Sequence, residues 1–118
     1  MKNFQNLDLW REAHALTLSI YSATSNFPDS ERFGVTSQIR RAAASIPTNI
    51  AEGCGRHTET EFARFIDISM GSAKETEYLL ILAKDLRYLI IEDFDPLMQQ
   101  TLSIQRMGAG LLRKIRVQ

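Results

Sequence analysis

Residues 58–86 run Thr58-Glu59-Thr60-Glu61 and then FARFIDISMGSAKETEYLLILAKDL to Leu86, and their reading decides the fold. Threonine followed by glutamate three residues later is a capping box, in which the hydroxyl accepts the N3 N–H and the carboxylate accepts the cap N–H, so a helix starts at Thr58. Beyond it the apolar and small residues fall on two stripes with alternating three- and four-residue steps. Phe62, Ile66, Ser69, Ala73, Thr76, Leu80 and Ala83 form one, and Phe65, Ile68, Ser72, Leu79, Leu82 and Leu86 form the other. A surface helix needs one such stripe; two adjacent ones need partners on more than one side. This helix is therefore central to a bundle or faces another subunit.

The flanking segments supply the partners. Leu9, Ala13, Leu16, Ile20, Ala23 and Phe27 make one helical stripe, stopped by Pro28, with Asp29 and Ser30 offering caps for the next helix. Val35, Ile39, Ala42, Ile46 and Ile50 mark a second helix, in which Ala42-Ala43-Ala44-Ser45 lets another backbone approach closely. Pro47 lies inside it, removes one hydrogen bond and presses on the Ala43 carbonyl, so a kink at Pro47 is expected, with Gly53 and Gly55 ending the helix. Acidic residues and Pro96 start a fourth helix between Asp93 and Asp95, carried on by Leu97, Thr101, Ile104, Gly108, Leu111 and Ile115. Four helices with short connections, and no convincing strand, predict an all-α, up-down-up-down antiparallel four-helix bundle, one domain over residues 1–118.

Composition narrows the function. With 118 residues, 14 Lys+Arg against 14 Asp+Glu and 44% hydrophobic content, the chain is neither disordered nor charged enough overall to attract nucleic acid or an anionic membrane, so a local patch would have to do so. Cys54 is the only cysteine, the N-terminus lacks a signal-peptide core, and the longest apolar run, Leu79–Ala83, is far too short for a membrane span. A cytoplasmic protein is expected.

Catalytic constellations are missing. His14 and His57 have no ligand partners at helical spacing, and Glu59, Glu61, Glu75 and Glu77 lack the histidines of a di-iron bundle. Gly53-Cys54-Gly55 lacks the strand and the Lys-Ser/Thr of a phosphate loop. The expectation is no enzyme, no metal and no cofactor. Two constellations remain. Glu75 would otherwise continue the second stripe, so it needs a partner, and Arg40, Arg41 and Asn49 are the expected donors of a structural polar cluster. Arg106, Arg113, Lys114 and Arg116 crowd the last helix with no acid among its final residues, and Arg56 and His57 sit in a turn. They either complement a helix C-terminus or contact phosphates.

The run Phe27-Pro28, Phe33-Gly34-Val35-Thr36-Ser37-Gln38-Ile39-Arg40-Arg41-Ala42-Ala43, Ser45-Ile46-Pro47-Thr48-Asn49-Ile50-Ala51-Glu52-Gly53 and Gly55-Arg56 resembles the four-helix-bundle family of 23S rRNA intervening-sequence proteins. Gly71-Ser72, Glu75 and Glu77 in the third helix, with Leu7 and Trp10, fit the same pattern. The resemblance implies a bacterial bundle that assembles into a ring, typically a homopentamer. It also implies kinship with the accessory variability proteins of diversity-generating retroelements, five-fold barrels that bind nucleic acid and a reverse transcriptase. No catalytic residues come with it. The expected function is a non-enzymatic oligomeric scaffold or adaptor for RNA or a nucleic-acid-processing protein, acting through the basic residues named above. The alternative is a protein-only interaction module.

Overall fold

The computed structural model describes residues 2–117 and contains four long helices, α1 (Asp8–Ala23), α2 (Val35–Cys54), α3 (Glu59–Asp85) and α4 (Ile91–Arg116), with no strand among the described residues. Each helix packs on the next, and α4 returns to α1. The contacts between ends set the arrangement. Lys2 N–H donates to the Cys54 carbonyl at 3.2 Å, joining the start of the chain to the end of α2. Arg40, early in α2, reaches back to Thr24 and the Tyr21 carbonyl beyond the middle of α1. Asp67, early in α3, pairs with Arg116 at the end of α4.

Local chemistry corrects several boundaries. The α-helical part of α1 ends at Ala23, four residues before Phe27, and Thr24–Asn26 tighten into a 3-10 turn while the Thr24 hydroxyl donates to the Ile20 carbonyl. Asp29 and Ser30 do not cap α2. They lie in their own 3-10 turn, and Glu31 Oε1 accepts the Val35 N–H at 3.2 Å instead. Gly53 does not end α2 but lies inside it, because a Cβ there would come within 2.8 Å of the Phe65 Cβ, so glycine lets α2 and α3 touch. The last helix begins at Ile91, ahead of the acidic residues, which then occupy its first turn where the helix dipole favours them. Half of the capping box forms: Thr58 Oγ1 accepts the Glu61 N–H at 3.1 Å, but the Glu61 carboxylate takes the Thr58 hydroxyl proton and not the backbone N–H.

Helix α2 stays helical through Pro47 to Cys54. The carbonyl that Pro47 leaves without its usual donor belongs to Ala43, and the Thr17 hydroxyl of α1 lies 3.2 Å from it. Thr48 and Asn49 bond one turn back, to the Ala44 and Ser45 carbonyls at 2.8 Å each. Buried hydroxyls also find carbonyls: Thr24 and Thr101 donate one turn back, to Ile20 and Leu97, while Ser69 of α3 donates across to Ile46 of α2, and no buried side-chain polar atom lacks a partner among the described residues.

The core runs the length of the bundle through Leu16, Ile20, Ile39, Ile46, Ile50, Phe62, Ile66, Leu80 and Ile104. Every member of the first α3 stripe is buried. The turn that follows α3 is a Schellman motif: Tyr88 N–H donates to the Ala83 carbonyl and Arg87 N–H to that of Lys84, both at 2.9 Å, with Arg87 in the left-handed region at φ 67°. Tyr88 then hydrogen-bonds Glu31 at 2.8 Å, tying this turn to the segment between α1 and α2.

Candidate functional site

The second α3 stripe is the first departure from an ordinary bundle. Leu79 is buried, and Phe65, Ser72 and Leu82 are half-buried, but Ile68 is 42% exposed and Leu86 43% exposed. The stripe turns toward α2, since Ser72 and Ser45 share a hydrogen bond at 2.8 Å. Beside it opens a groove of about 760 Å³ lined by Gln38, Arg41, Ala42, Ala44, Ser45, Thr48 and Glu75. Small α2 side chains leave it shallow.

The polar cluster expected around Glu75 does not form. Glu75 is exposed and has no hydrogen bond or ion pair with any described residue, because its position on α3 turns it outward past α2. Arg40 points the other way, donating to Thr24 Oγ1 at 2.8 Å and stacking over the Tyr21 ring at 4.6 Å. Asn49 bonds within its own helix to Ser45. Only Arg41 shares the groove with Glu75. Adjacent arginines on one helix have split, one toward α1 and one toward α3, as their angular separation of about 100° dictates.

The basic residues gather at one end for the most part. The end of α4 bearing Arg113, Lys114 and Arg116 meets the start of α3 and hence the turn holding Arg56 and His57, while Arg106 is two turns back along α4. All six are exposed. The expectation that no acid neutralises the α4 cations fails for Arg116, which grips Asp67 of α3 through both guanidinium nitrogens, and this pairing raises its pKa further. Arg113 and Lys114 have no carboxylate within salt-bridge distance among the described residues. Arg56 lies over the Phe65 ring at 4.6 Å, which holds its stem down and leaves its charge at the surface. Lys2, not singled out by the sequence, joins this end, 2.5 Å from Glu59 and above the Phe62 ring. The surface there is mixed in sign.

The opposite side of α3 is firmly closed. Gln105 of α4 donates to Glu77 at 2.8 Å and Lys74 adds an ion pair, and together they hold the Glu77 carboxyl below its ordinary range. Gly108 makes room for the Met70 side chain, whose sulfur a Cβ there would displace. Burial pushes the Cys54 thiol up, which disfavours the thiolate needed for reactivity. Among the described residues no group of His, Cys, Asp and Glu could hold a metal ion, and no helix is long and apolar enough to cross a membrane.

Four helices with this packing, and the sequence signature laid along α2 and α3, agree with a direct comparison: the 23S rRNA-intervening sequence protein family matches residues 5–110. The chain belongs to that family. Among solved structures, a protein of unknown function from the S23 ribosomal protein family of Bacteroides thetaiotaomicron VPI-5482 is similar, with a TM-score of 0.79 at 22% identity over 88% of this chain and 97% of that one. At that identity the likeness speaks for the fold of this family member. No curated protein matches the chain.

Proposed function

We propose that this member of the 23S rRNA-intervening sequence family is a non-enzymatic, cytoplasmic scaffold that assembles into a ring, five copies being the expected number. In this reading the ring offers RNA, or a complex that handles RNA, a repeated basic end. The observation that carries the assembly is the half-uncovered second stripe of α3, where Ile68 and Leu86 remain in water while the neighbouring stripe is fully buried. Exposed apolar positions in one line along α3 are what a contact between subunits requires. The basic end supports the RNA part. Arg113 and Lys114 are uncommitted to any acid, and Arg56 and His57 stand in the turn at the same end. A ring repeats such a modest patch, so weak phosphate contacts add up although each chain has balanced charge. Such contacts touch the backbone and carry little sequence preference.

The alternative is a protein-only module, favoured by the Arg116–Asp67 pair and the acids Glu59 and Asp67 interspersed at that end. Salt dependence separates the two. RNA binding by the assembled protein should fall by at least tenfold between about 50 and about 200 mM salt. The double variant Arg113→Ala/Lys114→Ala, which spares the Arg116 pair, should bind more weakly and with a shallower salt slope. No RNA binding by the assembled parent, or equal binding by the variant, would leave the protein-only module.

A further inference from the structure

A second groove, between α1 and α4, lies across the bundle from the one between α2 and α3, since each helix packs on the next and α4 returns to α1. Its volume is about 420 Å³, and it is lined by Ser19, Ser22 and Asn26 from the α1 side and by Glu92, Asp93 and Gln100 of α4. Apolar side chains stand along its rim. Leu18, one turn before Ser22 and so on the same face of α1, is 59% exposed, and Ile90 and Ile91, which immediately precede Glu92, are 60% and 51% exposed. Neither isoleucine is needed there to start α4. The hydrophobic staple that fixes the entry into a helix joins positions N′ and N4, and Leu89 and Phe94, both buried, already fill them. The helix dipole accounts for acids in the first turn but not for apolar side chains left in water beside them.

The charges select the occupant. Glu92, Asp93 and Asp95 are exposed, and none has an ion-pair partner among the described residues. No Lys or Arg among the described residues lines the groove. RNA or an anionic membrane would meet these carboxylates with repulsion. A cationic segment with an apolar face meets both features, its charged groups at Glu92 and Asp93 and its apolar side chains on Leu18 and Ile91. A second copy of this chain is a poor source of such a segment. In its densest cationic run, Arg113-Lys114-Ile115-Arg116, the isoleucine is buried in the bundle and Arg116 is held by Asp67.

We infer that the α1–α4 groove, with Leu18, Ile90 and Ile91 on its rim, is a docking site for a basic amphipathic helix of a different protein. This goes beyond the scaffold reading by naming a surface and the chemistry of its partner, and it depends neither on assembly nor on RNA binding.

The probe is a labelled synthetic helix with lysines on one face and leucines on the other, followed by fluorescence anisotropy. The parent should bind it at least about tenfold more tightly than the same helix with glutamates for its lysines or with glutamines for its leucines. Glu92→Gln/Asp93→Asn and Leu18→Ser/Ile91→Ser should each weaken binding by about tenfold or more while circular dichroism stays helical, since all four side chains are exposed. Ile68→Ser, on the opposite side of the bundle, should bind like the parent. No binding of the lysine and leucine helix by the parent, equal binding of the glutamate helix, or parent-like binding by either groove variant would overturn the proposal. A groove variant with a lower assembled mass than the parent in sedimentation would overturn it too, because the groove would then hold a second copy.

Discussion

The stripe of α3 from Phe62 to Ala83 and the stripe from Phe65 to Leu86 share a helix, a spacing and much of their composition, yet the bundle covers the first completely and the second in part. The helices that α3 packs against are α2 and α4, and two neighbours cover only part of a helix's circumference. The first stripe faces the middle of the bundle, so Ile66 and Leu80 are fully buried. The second turns toward α2, where Ser72 meets Ser45, and leaves Ile68 exposed. Under the proposed assembly, fold stability and subunit contact fall on different sides of one helix, and substitutions placed on each side should separate them.

The widest gap is expected between two isoleucines two positions apart. Ile66→Ala opens a cavity in the centre of the bundle and should cost about 2 to 5 kcal/mol by denaturant unfolding. Ile68→Ala should cost under about 0.5 kcal/mol at concentrations where the chain is dissociated. Comparable costs would mean that the two stripes are not functionally distinct. A smaller effect marks the point where both stripes end. Arg87 holds a left-handed conformation that glycine adopts without penalty, so Arg87→Gly should stabilise the chain by about 1 kcal/mol, read as a raised denaturant midpoint. An unchanged midpoint would mean that the turn is unstrained.

The smallest contrast sets Glu77 against Glu75. The Gln105 and Lys74 bonds depress the Glu77 carboxyl from its ordinary value of 4.5, so protons favour the unfolded chain there. Its stabilisation is complete above that ordinary value and disappears as the pH falls through the lowered one. Between about pH 5 and about pH 3, Glu77→Gln should therefore show a shallower loss of stability than the parent. Glu75, without partners in its own chain, should give a Glu75→Ala variant that unfolds at the parent's denaturant midpoint when dissociated. A lowered midpoint for Glu75→Ala would restore the structural pairing that the sequence led us to expect.

Most of the architecture was legible because helical spacing is local. Each apolar stripe could be read within its own segment, but the second stripe of α3 did not make that helix central: it packs mainly against α2 and α4, as each of the other helices packs against two. What the spacing does not contain is where a residue's direction on one helix meets a residue on another. Glu75 interrupts an apolar stripe, which suggests burial, but the stripe has already turned outward at that point. Asp67 and Arg116 are forty-nine residues apart, and only the packing of α3 on α4 brings them together. The kind of chemistry at each end was readable from composition, whereas its neutralisation by residues distant in sequence was not.

The central claim, that the uncovered side of α3 is a contact between copies, is tested most directly by the mass of the parent protein in solution. Light scattering at tens of micromolar should give a mass several times that of the 13.4 kDa chain, near five times for the expected ring. A mass of one chain across the whole concentration range would contradict the account and leave the exposure of Ile68 and Leu86 without an explanation.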